Sequence, residues 1–248
     1  VATLDIDAER RALETLREAD RAKDEFLAML AHELRNPLAP VLNATKVLAR
    51  RETLSAPGMQ ALAMIERQAT HMQRLVDDLL EVNRIKRGLV QLQPEPMLLT
   101  TAVAEVVETV LPALEARGQT LDVVQPTRPV KIHADPVRIA QVIENLLTNA
   151  SKYTPRGGAI RVELRADQGE AVLSVSDNGI GIEADKLEAV FELFMQGDPN
   201  ADGHKGGLGI GLAMVRRLVE LHGGHVRAQS SGRGHGSTFT VRLPMQPR

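Results

Sequence analysis

The stretch "ENLLTNASKY", residues 144–153, combines an apolar helix face with a run of polar side chains. Asn145 and Asn149 are four residues apart and therefore share one face of a helix, and Lys152 and Tyr153 follow within the next turn. Amide oxygens are acceptable ligands for a hard cation such as Mg²⁺, and a lysine ammonium can reach phosphate oxygens. Asparagine pairs on helices often only face solvent, but the apolar neighbours here indicate a lined pocket: Ile143, Leu146, Leu147 and Ala150.

The sequence around this helix predicts a mixed α/β region from Leu89 onward. Strand patterns and helix patterns alternate along it. The predicted strands are "LVQLQ" (89–93), "TLDVVQ" (120–125), "VKIHAD" (130–135), "AIRVELRAD" (159–167), "EAVLSVSDN" (170–178), "HVRAQSS" (225–231) and "STFTVRL" (237–243). The predicted helices cover 101–116, 136–152, 184–194 and 208–222, and residues 195–207 form a polar loop typical of a lid.

Residues 1–88 carry helical periodicity throughout. Two apolar stripes, one over about 13–48 and one over 59–85, are separated by a predicted turn at Pro57 and Gly58. Two helices alone bury too little apolar surface, so a long antiparallel hairpin predicts dimerisation into a four-helix bundle. The charged residues 1–22 read as a coiled-coil-like lead-in.

One histidine in the first stripe has unusual neighbours, in "HELRNP" (residues 32–37). Pro37 lacks an N–H and cannot bond the carbonyl of Glu33, so the helix should kink beside His32. Glu33 could hold the imidazole Nδ1–H and leave Nε2 as a nucleophile. A lone helical histidine is usually an ordinary residue, and a zinc-protease motif fails because position 36 is Asn36.

Three glycine-rich stretches follow the polar helix. In "SDNGIGI", Asp177 ends a strand and could accept a hydrogen bond from an exocyclic amine, while Gly179 and Gly181 would allow close approach of a ligand. "GGLGIGL", residues 206–212, begins a helix whose N-terminus suits phosphate, without the spacing of a Rossmann or Walker A loop. "SGRGHGSTF", residues 231–239, is either a hairpin turn or the border of a ligand site.

Composition excludes several classes of function. The 248 residues are 43% hydrophobic, with a net charge of −2 and no basic run, and only 2% are aromatic; nucleic-acid binding is therefore not expected. The absence of cysteine excludes disulfides and is compatible with a cytoplasmic location. No apolar run reaches the roughly 18 residues of a membrane span. The first residue is Val rather than Met, so we expect a fragment whose sensor or membrane anchor would lie upstream.

In their order along the chain, these stretches resemble the sensor histidine kinases of two-component signalling. "HELRNP" resembles the H box, "NLLTNASKYT" the N box, "DNGIGI" the G1 box, "FELFMQ" the F box, "GGLGIGL" the G2 box and "GRGHGSTF" the final glycine-rich box. The resemblance covers about residues 23–243. It implies a dimerisation and histidine phosphotransfer domain at 23–88, after a signalling lead-in at 1–22. An ATP-binding α/β sandwich of the Bergerat (GHKL) type would follow at 89–248.

The resemblance also implies roles for individual residues. His32 would be the phosphoacceptor, attacking the γ-phosphoryl group of ATP, with Glu33 handling the Nδ1 proton. Asn149, assisted by Asn145, would hold Mg²⁺. Lys152 would contact phosphate, Tyr153 would lie along the nucleotide and Asp177 would bind the adenine amine. The remaining predicted nucleotide contacts are Gly179, Gly181, Gly207, Leu208, Gly209, Gly211, Leu212 and Thr238. The implied partners are a second copy, bound through residues 23–88, and a response-regulator receiver domain.

Two other classes of function fit these residues less well. ATP-hydrolysing relatives in the same superfamily, of the gyrase B, mismatch-repair and heat-shock types, place a water-activating Glu one turn before the magnesium Asn. That position is Asn145 here, and Glu144 is rotated away. A non-catalytic scaffold is opposed by intact His32, Asn149 and Asp177. Asn36 either orients water for dephosphorylation of a receiver, as "HELRN" resembles bifunctional kinases, or only accommodates the kink.

Overall fold

In a computed structural model of the chain, residues 38, 40–43, 45, 48, 55–86, 91–193, 195 and 209–245 are described. The chain divides into two units, Val1–Val90 and Gln91–Arg248. His32, Glu33 and Asn36 lie outside the described residues, as do Gly207 and Leu208.

The main element of the first unit is helix α1, Ala56–Lys86. Pro57 and Gly58 lie in its first turn and not in a preceding turn, so the predicted turn is wrong at these two positions. The Ser55 hydroxyl accepts a hydrogen bond from the Gly58 N–H at 3.4 Å and so acts as an N-cap. Proline fits the first turn because its missing N–H would have no helical partner there.

A small apolar cluster joins α1 to the helical residues before it. Leu38, Ala69 and Val76 are buried together, with Leu42 packed against them. The Thr45 hydroxyl donates to the Leu42 carbonyl at 2.8 Å, so this polar side chain is satisfied within its own helix. Two helical stretches of this unit therefore contact each other, as the predicted hairpin requires.

The second unit is built on a five-stranded sheet with the order β2-β4-β5-β7-β6. The strands are β2 (Thr120–Val124), β4 (Ala159–Asp167), β5 (Glu170–Asp177), β6 (His225–Gln229) and β7 (Ser237–Pro244). Only the β2–β4 pair is parallel. A separate antiparallel pair joins β1 (Glu95–Leu98) to β3 (Lys131–Ala134). The strand predicted at 89–93 is wrong for residues 91–93, which are not in a strand.

One face of the five-stranded sheet is apolar and the other is polar. The buried inner face carries Ile160, Val162, Leu164, Leu173, Val175, Phe239, Val241 and Leu243. Helices α2 (Leu99–Glu115), α3 (Pro136–Tyr153) and α4 (Gly211–Leu221) supply the apolar side chains that cover it. The predicted α/β sandwich is confirmed. Among the described helices none is both long and apolar enough to cross a bilayer.

The helix predicted at 184–194 is wrong. Two short 3₁₀ turns, Ala184–Lys186 and Ala189–Phe191, replace it, and neither has a side-chain cap. The Phe191 ring packs edge-on against Phe239, with ring centroids 6.1 Å apart. Anchoring this ring to the sheet favours the tighter turns over a continuous helix.

Helix α3, which carries the polar stretch at residues 144–153, is fixed at both ends. Asp135 caps its start, since the carboxylate accepts from the Val137 and Arg138 N–H groups at 3.1 and 3.2 Å. At its end the buried Gln119 amide donates to the carbonyls of Ser151 and Thr154, both at 2.9 Å. The helix is therefore held in place along its axis relative to the sheet.

Candidate nucleotide-binding site

A cavity of about 170 Å³ lies where α3 and the start of α4 meet the inner face of the sheet. Its lining combines a few polar side chains with an apolar wall, a combination that suits a small organic ligand. The lining residues are Asn149, Tyr153, Asp177, Ile180, Gly181, Ile182, Glu183, Lys186, Val190, Met195, Leu212, Arg233, Ser237 and Phe239.

Asp177 is the central polar residue of the lining that the end of β5 contributes, which we call the Asp177 end of the cavity. It is the last residue of β5, and its side chain lies on the inner face because it pairs with Ile160 and Ser237. One carboxylate oxygen accepts from the Gly179 N–H at 2.8 Å and the other from the Ser237 hydroxyl at 2.6 Å. Both oxygens are thus held in fixed positions, and each retains capacity to accept a further bond.

Ser237, and not Thr238, faces the cavity. Thr238 pairs with Ser176 in the sheet, and its hydroxyl donates to the Ser176 hydroxyl at 2.9 Å on the opposite face. Successive side chains of a strand point to opposite faces, so a shift of one residue decides which hydroxyl reaches Asp177. The structure therefore does not bring the predicted contact Thr238 into the site, and reasoning from the sequence missed Ser237.

The glycines after Asp177 allow two loops to touch. A Cβ on Gly179 would lie 2.3 Å from the Tyr153 carbonyl oxygen, and one on Gly181 would lie 2.0 Å from the Gly232 carbonyl oxygen. Neither distance is possible for a real side chain. The Ile180 N–H also donates to the Tyr153 carbonyl at 3.1 Å. Gly179 thus lets the loop after β5 pack against α3, and Gly181 lets it pack against the loop between β6 and β7.

The predicted phosphate and metal residues belong to the lining that α3 and the start of α4 contribute, which we call the other end of the cavity. Asn149 lines it, and its side chain makes no hydrogen bond to any described residue. Asn145 lies one turn earlier, where a Cβ on Gly211 would come within 3.0 Å of its Oδ1. Leu212 lines the cavity from the first turn of α4, directly after Gly211, and Gly209 precedes that turn with a φ of 71°. Amide groups and a helix start therefore converge here.

Lys152 lies beside the cavity, next to one of its lining residues. Its ammonium is 3.2 Å from the Tyr153 hydroxyl and 4.7 Å from the centre of the Tyr153 ring. This is the geometry of a cation–π contact. The ammonium is thus held near the cavity without lining it.

Charged side chains form part of the rim, a feature that reasoning from the sequence missed. Glu183 pairs with Lys186 and with Arg233, the latter at 2.8 Å. The hydrogen bond from Lys186, and then the charge of Arg233, lower the pKa of the Glu183 carboxyl, and the same bond raises the pKa of Lys186. The available signal was the three-residue spacing of Glu183 and Lys186. Arg233 could not be paired with them before the fold was known.

Those predicted nucleotide residues that the structure describes fall into three groups. Asn149, Tyr153, Asp177, Gly181 and Leu212 line one cavity. A second group lies directly around it: Asn145, Lys152, Gly179, Gly209 and Gly211. Thr238 lies on the far face of the sheet.

Two family models match the chain. Residues 22–88 match the His Kinase A (phospho-acceptor) domain, and residues 134–247 match the histidine kinase-, DNA gyrase B- and HSP90-like ATPase. The match to the ATPase spans α3, α4 and the residues of the cavity described above.

Curated relatives match nearly the whole chain. The circadian input-output histidine kinase CikA of Synechococcus elongatus is 35% identical over 95% of this chain and 32% of its own length. The autoinducer 2 sensor kinase/phosphatase LuxQ of Vibrio parahaemolyticus is 32% identical over 98% of this chain and 29% of its own length. The chain thus spans about a third of the length of these relatives.

Two solved structures also match this chain. Full-length ShkA in complex with AMPPNP matches with a TM-score of 0.76 and 28% identity, covering 90% of this chain and 46% of that one. The mycobacterial sensor histidine kinase MprB matches with a TM-score of 0.54 and 29% identity, over 63% of this chain and 100% of that one. A phospho-acceptor region followed by this ATPase fold, together with these relatives, assigns the chain to the histidine kinase family, as the catalytic core of a sensor kinase.

Proposed function

We propose that the chain binds ATP in the cavity, transfers its γ-phosphoryl group to His32, and passes that group to an aspartate of a response-regulator receiver. The observation that carries the proposal is a single cavity lined both by the fixed Asp177 carboxylate and by the Asn149 amide. The ATPase family match and the AMPPNP named in a related structure support ATP as the ligand.

The adenine would bind at the Asp177 end. The exocyclic amine of adenine is a donor, and the Asp177 oxygens retain acceptor capacity after bonding Gly179 and Ser237. Ile180, Ile182 and Phe239 offer apolar surface to the ring. Guanine presents a carbonyl in place of the amine, so the carboxylate would reject it.

The residues at the phosphate end fit Mg²⁺. Among the described residues no cluster of three or more histidines, cysteines or carboxylates exists, so a metal cage made of protein alone is absent there. Mg²⁺ usually takes only one or two protein oxygens and completes its shell with phosphates and water. The amides of Asn149 and Asn145 supply that number, with Asn149 as the direct ligand. When bound, the ion would neutralise charge on the phosphates.

Transfer to His32 would proceed as an in-line displacement. Nε2 forms a bond to the γ-phosphorus while the bond from that phosphorus to the β,γ-bridging oxygen breaks, releasing ADP. The Nδ1 proton of His32 would be held by Glu33. Positioning and charge neutralisation dominate such reactions, and Lys152 would add a cation near the phosphates.

A dimer would bring the phosphoacceptor units together. Leu62, Ala69 and Val76 recur every seven residues and are buried, whereas Ile65 and Met72, also seven apart, are about half exposed. This second apolar stripe on α1 is the surface that a second copy would cover in a four-helix bundle.

Hydrolysis of ATP by water is disfavoured as the main activity. Glu144, the one carboxylate within α3, is exposed, and Asn145 is the residue that lies against Gly211 at the start of α4. No described carboxylate on α3 is therefore placed to activate water next to Asn149.

Dephosphorylation of the receiver is a second candidate activity. Asn36 follows His32 by four residues, and LuxQ, a relative over 98% of the chain, is named as a kinase and phosphatase. The Asn36 amide would orient a water towards the aspartyl phosphate.

Incubation with γ-labelled ATP and Mg²⁺ tests the main proposal. The chain should acquire acid-labile, base-stable label, and a cognate receiver should then remove it. Release of inorganic phosphate with no label on the protein would contradict the proposal and favour an ordinary ATPase.

A further inference from the structure

Helices α3 and α4 run antiparallel and share polar contacts at intervals along their seam. Near the cavity, Gly211 abuts Asn145. One turn further along α4, the Gln141 amide donates to the Met214 sulfur at 2.9 Å. Between Met214 and the end of α4, the buried side chains that these two helices contribute are apolar: Ile139, Val215, Leu218 and Val219. Apolar packing is not directional, so it resists separation of two helices better than it resists sliding.

The far end of the seam is closed by a histidine that the proposed function does not use. His222, the C-cap of α4, has its Nε2 3.0 Å from the Asp135 backbone nitrogen and its Nδ1 2.7 Å from the Leu218 carbonyl oxygen. The Asp135 N–H can only donate and the carbonyl can only accept. These two contacts assign the donor role to Nδ1 and the acceptor role to Nε2.

The partner of His222 is the residue that starts α3. The Asp135 carboxylate is already occupied by the capping bonds to Val137 and Arg138 and by the Gln93 N–H at 3.0 Å. Its own N–H points back to His222, and Asp135 is only 7% exposed. Without His222 this buried donor would lose its partner, which is costly.

We propose that His222 is a positioning residue for the nucleotide site. Its directional bond to Asp135 fixes how far α4 is displaced along α3, and thereby holds Gly211 and Leu212 against Asn145 and Asn149 about three turns away. This inference rests on the proposed function, because the site it positions is the proposed phosphate end.

Two variants of similar polarity separate the long-range bond from the local one. A glutamine amide can reach the position of Nε2, so His222→Gln keeps an acceptor for the Asp135 N–H. The shorter asparagine reaches only the position of Nδ1. His222→Asn therefore keeps the local bond to the Leu218 carbonyl and loses the bond from the Asp135 N–H. His225→Asn, at an exposed histidine three residues later, controls for the substitution itself.

The full 248-residue chain should be measured in two ways. Amide hydrogen exchange at Asp135 reads the contact directly: it should be slow in the parent, in His222→Gln and in His225→Asn, and faster in His222→Asn. Calorimetry with ATP and Mg²⁺ reads the site: His222→Asn should bind roughly three- to tenfold more weakly, the value of one hydrogen bond, and His222→Gln within about twofold of the parent.

The outcomes distinguish this inference from the proposed function. Unchanged exchange at Asp135 in His222→Asn would overturn the contact, and faster exchange with unchanged ATP affinity would overturn the positioning role. Equal loss of affinity in the Gln and Asn variants would also overturn it, since the acceptor would then be irrelevant. A parent chain that binds no ATP, with normal exchange at Asp135, would contradict the proposed function instead.

Discussion

The two ends of the cavity are built in different ways. At the Asp177 end the polar groups are bonded within the protein, and glycine contacts lock the loops around them. At the other end Asn149 has no hydrogen-bond partner among the described residues, and Lys152 rests on Tyr153. The proposed adenine end is thus formed before a ligand arrives, whereas the phosphate end offers groups whose partners the ligand supplies.

The largest effect is expected from a substitution at the phosphate end, and it should appear in the rate of autophosphorylation. Asn149→Ala removes the amide proposed to hold Mg²⁺, so the rate of autophosphorylation should fall on the order of a thousandfold. Binding of ATP in the presence of a chelator should change little. Thr148→Ala, at an exposed position on the same helix, is the control. A variant that phosphorylates at the rate of the parent would show that Asn149 is not the metal ligand.

Asp177→Asn should weaken the adenine end instead. The amide retains one acceptor but presents an N–H where the adenine amine would donate, so ATP affinity should fall roughly 10- to 100-fold by calorimetry. Because the defect lies at the base, the loss should be the same with and without Mg²⁺. A loss of ATP affinity that appears only with Mg²⁺ would contradict the assignment of Asp177 to the adenine end.

Ser237→Ala should have an intermediate effect. Removing its hydroxyl frees one Asp177 oxygen to move, and ATP affinity should fall roughly three- to tenfold. Thr238→Ala removes the neighbouring hydroxyl from the opposite face and should leave affinity unchanged. If calorimetry finds the reverse order, the register of β7 described above is wrong.

The smallest effect on ATP affinity is expected for the charged rim of the cavity, formed by Glu183, Lys186 and Arg233. Lys186 and Arg233 lower the pKa of Glu183, so their attraction stabilises the fold above the ordinary carboxyl pKa and is lost as the pH falls through the lowered value. Glu183→Gln should therefore lower Tm slightly at neutral pH and not at strongly acidic pH. These side chains are more than a third exposed, so ATP affinity should change by less than about twofold. A larger change would place the rim in the binding site.

Much of the fold could be predicted from the sequence because it depends on local patterns. The periods of the helices and strands predicted a mixed α/β region, and the family resemblance implied the sandwich. Asn149 and Asp177, which the sequence singled out, line one cavity, and their roles there stay predictions. The prediction of a helix at 184–194 was wrong because Phe191 packs on Phe239, 48 positions away, and no local pattern contains that contact.

The remaining site residues depend on register and distant pairing. Ser237 and Thr238 are indistinguishable until the pairing of β5 with β7 places one on each face. The bond from Asp135 to His222 spans 87 positions, and reasoning from the sequence found only a helix end at His222. The roles of His32, Glu33 and Asn36, and the domain boundaries at residues 22 and 88, stay predictions.

One substitution tests the central claim most directly. The parent chain and His32→Gln should be incubated with γ-labelled ATP and Mg²⁺, with ATP affinity measured on the same preparations. We predict acid-labile, base-stable label on the parent, none on His32→Gln, and equal ATP affinity, because the proposed adenine and Mg²⁺ contacts come from Asp177 and Asn149, which line the cavity. Persistent label on His32→Gln would contradict the assignment of His32 as the phosphoacceptor.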